Sequence, residues 1–483
     1  MVISTDRIQQ GAFAFLGIAT IACVLAAFGT EQYYLALIPF GLLVVYLAVI
    51  NFKLLYFMLL ASIPPSIEYY FSSSLATDLP DEPLMIGLML VTLTYLAYNY
   101  KSLPKGFFLH GLLLALGLHI FWIFISAMNS VNSLVSYKVF LSKIWYLSSF
   151  TLLTAIVIRT KEDLKTAFWC IYIPLTILIA QVIVRHAMTG FSFDEINEPM
   201  PPFFRNHVNY AAIVAIFVPF IWMARAWYAP GTWTRRLLTF SILFYVVAIY
   251  LSYTRTCYIA LAALLPAAFV IKNRLMKPAL VVALIGAVAL GNYLFTNNKF
   301  LQFAPDFKET IIHDEFGEHL TSTFEGTDVS SMERVYRWVA ATRMWKDRPV
   351  FGFGPGNFYP YYKKYTLSSF ETYVSDNPER STTHNYFLLL LSEQGVTGLA
   401  VFIILTIVIF VYAESIYQRV SSQADKHIVL GLGLVMLMVY VNLMLSDMLE
   451  SDKVGPFFYF SLAMLASIDI RNRLGQSFST DTN

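Results

Sequence analysis

Residues 380–399 read "RSTTHNYFLLLLSEQGVTGL", and they contain a change from polar to apolar sequence. Before it, residues 297–380 hold 12 acidic and 10 basic side chains, about a third of the charged residues in the chain. After it, Leu388–Leu391 open a long run with almost no charge. A run of this kind is typical of a membrane-spanning helix. The stretch therefore predicts that a large polar loop ends, and a span begins, beside His384.

The composition extends this interpretation to the whole chain. Of its 483 residues, 57% are hydrophobic and 13% are charged, against about 25% charged in typical soluble domains. The sequence therefore predicts an all-α polytopic membrane protein. The net charge of +2 gives no strong field for nucleic acid. The cysteines lie in apolar runs, which indicates neither a disulfide framework nor a metal site.

Apolar runs of spanning length predict about 12–14 transmembrane helices. The runs fall near 11–29, 34–50, 54–70, 84–99, 107–128, 144–158, 164–184, 207–224, 237–253, 256–271, 278–296, 395–413, 428–446 and 456–468. The pair that meets at Asn51–Lys53 could form one kinked unit.

The loops between these runs alternate in charge, and the positive-inside rule assigns the basic set to the cytoplasm. Both termini are then predicted to be cytoplasmic. The segment 297–380 is predicted on the other side, with Arg205, Arg255 and His384 at the membrane boundary of that side. The basic loops contain Lys101, Lys105, Arg159, Lys161, Lys165, Arg235, Arg236, Lys272, Arg274, Lys277, Arg419, Lys426, Arg471 and Arg473.

Within the large loop, "SMERVYRWVAATRMWK" (331–346) has apolar residues at helical spacing. It predicts an amphipathic helix that lies on the membrane surface with its tryptophans at headgroup depth. Arg334 and Arg337 are three residues apart, so the pattern puts both on one face of that helix.

His384 is a candidate general base. Thr383 or Ser381 could cap the following helix, which would put His384 in its first turn. There the helix dipole disfavours the imidazolium, and a neutral imidazole can accept a proton. The alternative is a polar residue that merely ends a span. Glu393 is no natural partner, because nine residues place it on the opposite helix face. It is expected to be buried against other polar groups.

Several arginines are predicted at the same membrane face. Arg255 and Arg205 each stand at the start of a span, where a cation opposes the helix dipole and favours an anionic partner. Each could alternatively reach towards lipid headgroups. Together with Arg334 and Arg337, they predict a site for a phosphate-bearing lipid.

Two other motifs invite a functional interpretation that the residues do not support. "GFGPGNF" (352–358) lacks the Gly-Lys-Ser/Thr of a phosphate-binding loop, so its glycines are expected to form a tight turn that brings the preceding helix beside the spans. "HDEFGEH" (313–319) has histidines six residues apart, not at the helical spacing of metal ligands, so no metal site is predicted.

Four stretches carry a resemblance to a known family. In chain order they are "RNHVNYAAI" (205–213), "SYTRTCYIAL" (252–261), "ERVYRWVAATRMWKDRPVFGFGPGNF" (333–358) and "THNYFLLLLSEQGVTGL" (383–399). The chain resembles the superfamily of O-antigen ligases and O-antigen polymerases, which are bacterial envelope glycosyltransferases. The match runs from Arg205 to the last spans, whereas the first 200 residues agree in topology alone.

The resemblance implies transfer of a glycan from undecaprenyl diphosphate to an acceptor hydroxyl, such as that of lipid A-core. His384 matches the family's base, and Arg255 and Arg334 match arginines that bind the diphosphate. Arg205 is a weaker match, and Arg337 adds a nearby cation. No cofactor, metal or nucleotide is implied. The expected partners are the donor, a glycan or glycolipid acceptor and the bilayer, with no nucleic acid, and the expected location is the bacterial inner membrane.

The resemblance also suggests a division of the chain. It comprises N-terminal transmembrane helices (1–204), the transmembrane helices of a ligase-like core (205–296), a periplasmic loop (297–382), C-terminal transmembrane helices (383–470) and a cytoplasmic tail (471–483). The activity itself stays open among a ligase, a polymerase of O-antigen or exopolysaccharide, and a protein O-glycosyltransferase. A glycolipid transporter or flippase is a further alternative, although charges crowded at one face favour surface chemistry.

Overall fold

Helices dominate the computed structural model, which describes residues 38–72, 75–303, 329–367, 375–377 and 380–478, with parts of 15–30. The first seven long helices are α1 (Ile38–Ser62), α2 (Asp81–Tyr98), α3 (Gly111–Met128), α4 (Ser133–Leu147), α5 (Lys161–Met188), α6 (His207–Arg225) and α7 (Trp233–Tyr250). They are followed by α8 (Arg255–Lys272), α9 (Met276–Phe295), α10 (Val329–Asp347), α11 (Tyr386–Arg419), α12 (Gln423–Leu445) and α13 (Gly455–Arg473).

Eight helices in the described part of the chain are long and apolar enough to cross a membrane. They are α3, α4 with its continuation to Val157, α5, α6, α8, α9, α11 and α12. The predicted class, an all-α polytopic membrane protein, is thereby confirmed. The total of 12–14 spans stays a prediction, because much of the apolar run 11–29 lies outside the described residues.

The run predicted at 54–70 is wrong in its second half. Helix α1 bends at Asn51, as the sequence allowed, and ends at Ser62. Pro64 and Pro65 follow, and proline cannot continue the hydrogen-bond ladder of a helix. The chain then forms an antiparallel hairpin of β1 (Ile67–Ser72) and β2 (Leu75–Leu79).

The core lies around α6 and α12, the most deeply buried of the candidate spans. Helix α12 packs against α6, α8, α11 and α13, and α11 also packs against α3. In contrast, α9 lies at the edge of the bundle, and its most apolar stretch has no buried residue.

The helix predicted at 331–346 is present as α10, and its position on the membrane surface stays a prediction. Tyr336, Val339, Ala340 and Met344 form a buried stripe, and the helix packs against α11. An apolar stripe can be removed from water by a neighbouring helix as well as by lipid. Helix α10 therefore has a fixed position in the protein, and that position determines where its arginines lie.

Candidate active site

A glycine-rich turn follows α10 and docks it onto the membrane helices. Gly352, Gly354 and Gly356 all have positive φ, at 66°, 96° and 77°, a region that other residues rarely adopt. A Cβ at Gly352 would collide with the backbone of Glu393. The predicted tight turn beside the spans is confirmed, and the close approach gives the reason for its glycines.

Glu393 is the residue to which this turn is attached. Its side chain is 6% exposed, with Oε2 accepting the backbone N–H of Gly356 at 2.9 Å and Oε1 that of Phe358 at 2.9 Å. Gly354 donates its N–H to the Glu393 carbonyl at 2.7 Å. That carbonyl is free to accept a bond from the turn because α11 is broken at Gly395, where φ is 70°, and the break interrupts the hydrogen bonds within the helix. The prediction of a carboxylate buried against polar groups other than His384 is confirmed.

The loop that carries His384 differs from the prediction in one respect. Helix α11 begins at Tyr386, and its N-cap is Asn385, whose side chain accepts the N–H of Leu388 at 3.0 Å. Neither Thr383 nor Ser381 is the cap, so His384 precedes the helix instead of lying in its first turn. His384 has a φ of 49°, a left-handed conformation that is uncommon outside glycine and clusters at functional sites.

Helix α10 holds the backbone immediately before this histidine. Arg337 Nη1 donates to the carbonyl of Thr382 at 3.3 Å, and Trp338 Nε1 donates to that of Thr383 at 3.0 Å. Thr382 in turn donates its hydroxyl to Asp447 at 2.6 Å. The unusual conformation of His384 is thus fixed by bonds from two neighbouring segments.

The imidazole of His384 is neutral at pH 7, as predicted, but the main cause is not the helix dipole. Burial, together with the positive charges of Arg337 and Arg334, lowers the pKa of His384 to about 3. Both effects disfavour the charged form. A neutral imidazole can accept a proton from a hydroxyl group in the adjoining cavity.

That cavity has a volume of about 770 Å³ and lies where α6, α8 and α10 begin and where α9 and α12 end. Arg205, Arg255, Arg334 and His384 all line it. They come from four separate parts of the sequence, and the fold brings them to one site. Among the described lining residues, these arginines supply most of the positive charge.

Arg337 is set apart from these predicted site residues. It is 5% exposed, does not line the cavity, and pairs with Glu333 at 3.4 Å between Nη2 and Oε2. Glu333 also accepts the hydroxyl of Ser375. The geometry gives Arg337 a place behind the cavity wall, where it supports the His384 loop and lowers the pKa of His384.

Three charged lining residues were not predicted. Arg380 stands four residues before His384, and its position at the end of the charged loop was a usable signal. Asp447 and Glu450 belong to "SDMLESDK" (446–453), an acidic stretch between two predicted spans on the side of His384. Glu450 forms an ion pair with Lys143 and accepts the hydroxyl of Tyr386 at 3.0 Å.

The cavity also has an apolar wall. Ile259 of α8 and Leu290 and Leu294 of α9 line it beside the arginines. Because α9 is at the edge of the bundle, this wall adjoins the surface that would face lipid. A cationic end next to an aliphatic wall suits an amphiphile with an anionic head.

The fold and this cavity define a multi-pass membrane protein with a cation-lined site at one end of its helices. Residues 238–403 match the family model described as O-antigen ligase, which confirms the predicted resemblance. Arg255, Arg334, Arg380 and His384 lie inside the matched range, and Arg205 lies outside it. The match supports a ligase- or polymerase-like role in glycan transfer. A comparison with curated proteins gives no match.

Proposed function

We propose that the protein transfers a glycan from undecaprenyl diphosphate to an acceptor hydroxyl, such as that of lipid A-core, at the periplasmic face of the bacterial inner membrane. One observation carries the proposal: Arg255, Arg334 and His384, from three separate segments inside the matched range, line one cavity. The charged residues of the 297–380 loop and the basic loops of the opposite face support this orientation.

The reaction divides between the arginines and the histidine. The acceptor hydroxyl oxygen attacks the anomeric carbon, and the bond between that carbon and the diphosphate oxygen breaks. Its electron pair leaves with the diphosphate, while His384 takes the hydroxyl proton and later releases it to water. Arg255 and Arg334 stabilise the charge that grows on the leaving diphosphate, so this chemistry needs no metal or nucleotide. Arg205 and Arg380 are additional cations for the donor.

Donor binding also strengthens the base. Burial and, after it, the charges of Arg337 and Arg334 lower the pKa of His384. A bound diphosphate opposes that field, so the pKa of His384 rises towards its ordinary value. The histidine therefore becomes a better proton acceptor when a donor is present.

The test uses purified protein and a labelled undecaprenyl-diphosphate glycan, offered with lipid A-core, with a second glycan lipid, or with an acceptor protein. Label on lipid A-core indicates a ligase, longer glycans indicate a polymerase, and label on protein indicates protein glycosylation. If no acceptor is labelled while the same preparation moves glycolipid across liposomes, the transferase proposal is wrong and a flippase takes its place.

A conservative substitution tests the diphosphate contact. Arg255→Lys keeps the charge but cannot reproduce the two-pronged hydrogen bonding of a guanidinium. We expect at least a tenfold lower kcat/KM, which corresponds to about 1.4 kcal/mol. Arg236→Lys is the matched control, since Arg236 is exposed near the start of α7 and does not line the cavity. Equal kinetics for the two variants would favour a headgroup contact for Arg255.

A further inference from the structure

Two aromatic side chains line the cavity close to the arginines. Phe193 and Tyr253 both border it, with ring centroids 5.4 Å apart and planes at 83°. Both rings are partly exposed. Tyr253 is two residues before Arg255, so the aromatic surface adjoins the proposed diphosphate site.

The backbone is unusual at Tyr253 and at Phe191, two residues before Phe193. Tyr253 has a φ of 53° and Phe191 a φ of 58°, values that bulky residues seldom adopt. The Tyr253 hydroxyl donates to the Phe191 carbonyl at 2.9 Å, which joins the two strained segments. The ring of His186 packs edge-on against the rings of Phe191 and Tyr253, with centroid distances of 5.2 Å and 6.2 Å. Strain of this kind persists where the surroundings hold it, commonly at functional sites.

Aromatic residues at a membrane boundary often serve only as anchors in the headgroup layer. Tyr250 fits that description, because it ends α7, is 63% exposed and does not line the cavity. Phe193 and Tyr253 differ, since their rings border a cavity that also contains charged groups. Their position therefore calls for a ligand with an apolar face.

We propose that Phe193 and Tyr253 form a platform for the sugar ring bonded directly to the donor diphosphate. A sugar has a face of C–H groups, which packs on the negative face of an aromatic ring, and a rim of hydroxyls. Asn206, Asn209 and Ser381 also line the cavity and can hydrogen-bond such hydroxyls. The inference rests on the proposed function, because it assumes a glycan on the lipid diphosphate.

The distribution of cavity walls supports this assignment. The aliphatic wall of Ile259, Leu290 and Leu294 suits the polyprenyl chain, and the arginines suit the diphosphate. A donor joins three chemical parts in the order lipid, diphosphate and sugar. The aromatic platform supplies the third surface, next to the second.

The experiment compares the binding of two lipids to each purified variant: undecaprenyl diphosphate and the same lipid carrying its glycan. The measured quantity is the ratio of their dissociation constants. Tyr253→Leu and Phe193→Leu remove a ring, Tyr253→Phe keeps the ring without its hydroxyl tether, and Tyr250→Leu is the matched control outside the cavity.

We expect Tyr253→Leu and Phe193→Leu each to weaken binding of the glycan-bearing lipid about tenfold, in line with the energy of one aromatic contact, and to leave undecaprenyl diphosphate unchanged. Tyr253→Phe should retain more of the preference than Tyr253→Leu, and Tyr250→Leu should retain all of it. Unchanged binding of the glycan-free lipid also shows that each variant is folded.

An equal loss for both lipids, or no loss for either, would overturn the platform. Its failure can be separated from failure of the proposed function. If the wild-type protein transfers glycan but the ratio does not change in the variants, only the platform is wrong. If no transfer occurs and the ratio changes as expected, the sugar site stands and the proposed reaction is wrong.

Discussion

Glu393 accepts the backbone N–H of Phe358 at 2.9 Å, across 35 residues of sequence. This bond joins the turn after α10 to the helix that His384 precedes. Because α10 carries Arg334, this bond links the position of Arg334, a proposed diphosphate-binding residue, to that of His384, the proposed base. Positioning of this kind matters in catalysis, since a displacement of about 1 Å can lower a rate by about 100-fold.

Replacing Glu393 should therefore disturb both stability and turnover. In Glu393→Gln, one backbone donor of the turn loses a carboxylate oxygen and meets an amide N–H₂ group instead. A buried donor left without its acceptor costs about 1–3 kcal/mol. We expect a lower midpoint of thermal unfolding and a lower kcat, measured on detergent-purified protein.

Glu414→Gln is the matched control for this prediction. Glu414 is buried near the other end of α11 and accepts the N–H of Met276 at 2.8 Å. Because the amide oxygen of a glutamine can still accept this one N–H, the replacement should lower the unfolding midpoint less than Glu393→Gln does, and the folded protein should keep its specific activity. Equal losses of kcat in both variants would show that Glu393 acts only through general stability.

His384 gives a pH-dependent prediction for stability. Its pKa is about 3 in the folded protein, below the ordinary value of about 6.5 in the unfolded chain. Protons therefore bind more strongly to the unfolded chain, and stability falls as the pH decreases from about 6.5 towards 3. His384→Gln removes this contribution, so its unfolding midpoint should fall less steeply over that range. Parallel curves for wild type and variant would contradict the lowered pKa.

The same residue predicts a difference between two kinetic profiles. The pH dependence of kcat/KM reports groups in the free enzyme, and that of kcat reports groups in the complex. With the proposed donor bound, the negative diphosphate should raise the pKa of His384. The acid limb of the kcat profile should then lie at higher pH than the acid limb that His384 causes in the kcat/KM profile. His384→Gln should lower kcat by at least 100-fold, the usual scale of general base catalysis.

The helical fold was largely readable from composition, and the exceptions have local causes. Long apolar runs leave few alternatives to membrane helices, whereas the end of α1 depended on Pro64 and Pro65 inside a run that stayed apolar. The residue type alone could not identify the N-cap of α11, because serine, threonine and asparagine all make good caps. Asn385 is the cap since its side chain reaches Leu388.

The sequence could assign the site residues to one side of the membrane, but it could not show that they line a common cavity. Arg205, Arg255 and His384 could be assigned to one face from span boundaries, and Arg334 from the loop. Arg380 carried the same signal and could have been included. The contributions of Asp447 and Glu450 depend on how α12 and α13 pack, which charge and hydropathy do not reveal.

Arg334 and Arg337 should behave differently, although their spacing puts them on one face of α10. Arg334 lines the cavity, so Arg334→Gln should lower kcat/KM with little change in stability. Arg337 is buried with Glu333, and removing one partner of a buried pair costs about 3–5 kcal/mol. Arg337→Gln should therefore be the less stable variant in thermal unfolding.

A double variant separates these effects. In Glu333→Gln with Arg337→Gln, no charge is left buried without its partner, so stability should recover in part relative to Arg337→Gln alone. Turnover by the folded double variant would then measure what Arg337 contributes through the His384 loop. A stable Arg337→Gln protein beside an unstable Arg334→Gln protein would reverse the assignment of the two arginines.

Arg380 provides a test of the cavity as a site for anions. It is exposed and lines the cavity, so its substitution should not affect the core. A hydrogen bond to a charged group contributes about 1.5–3 kcal/mol, and Arg380→Gln should therefore weaken donor binding by at least tenfold. The loss should shrink as ionic strength rises, because salt screens exposed charges. Arg348→Gln, in the same loop but outside the cavity lining, should bind donor as the wild type does. If both variants bind equally well at low salt, Arg380 has no part in holding the diphosphate.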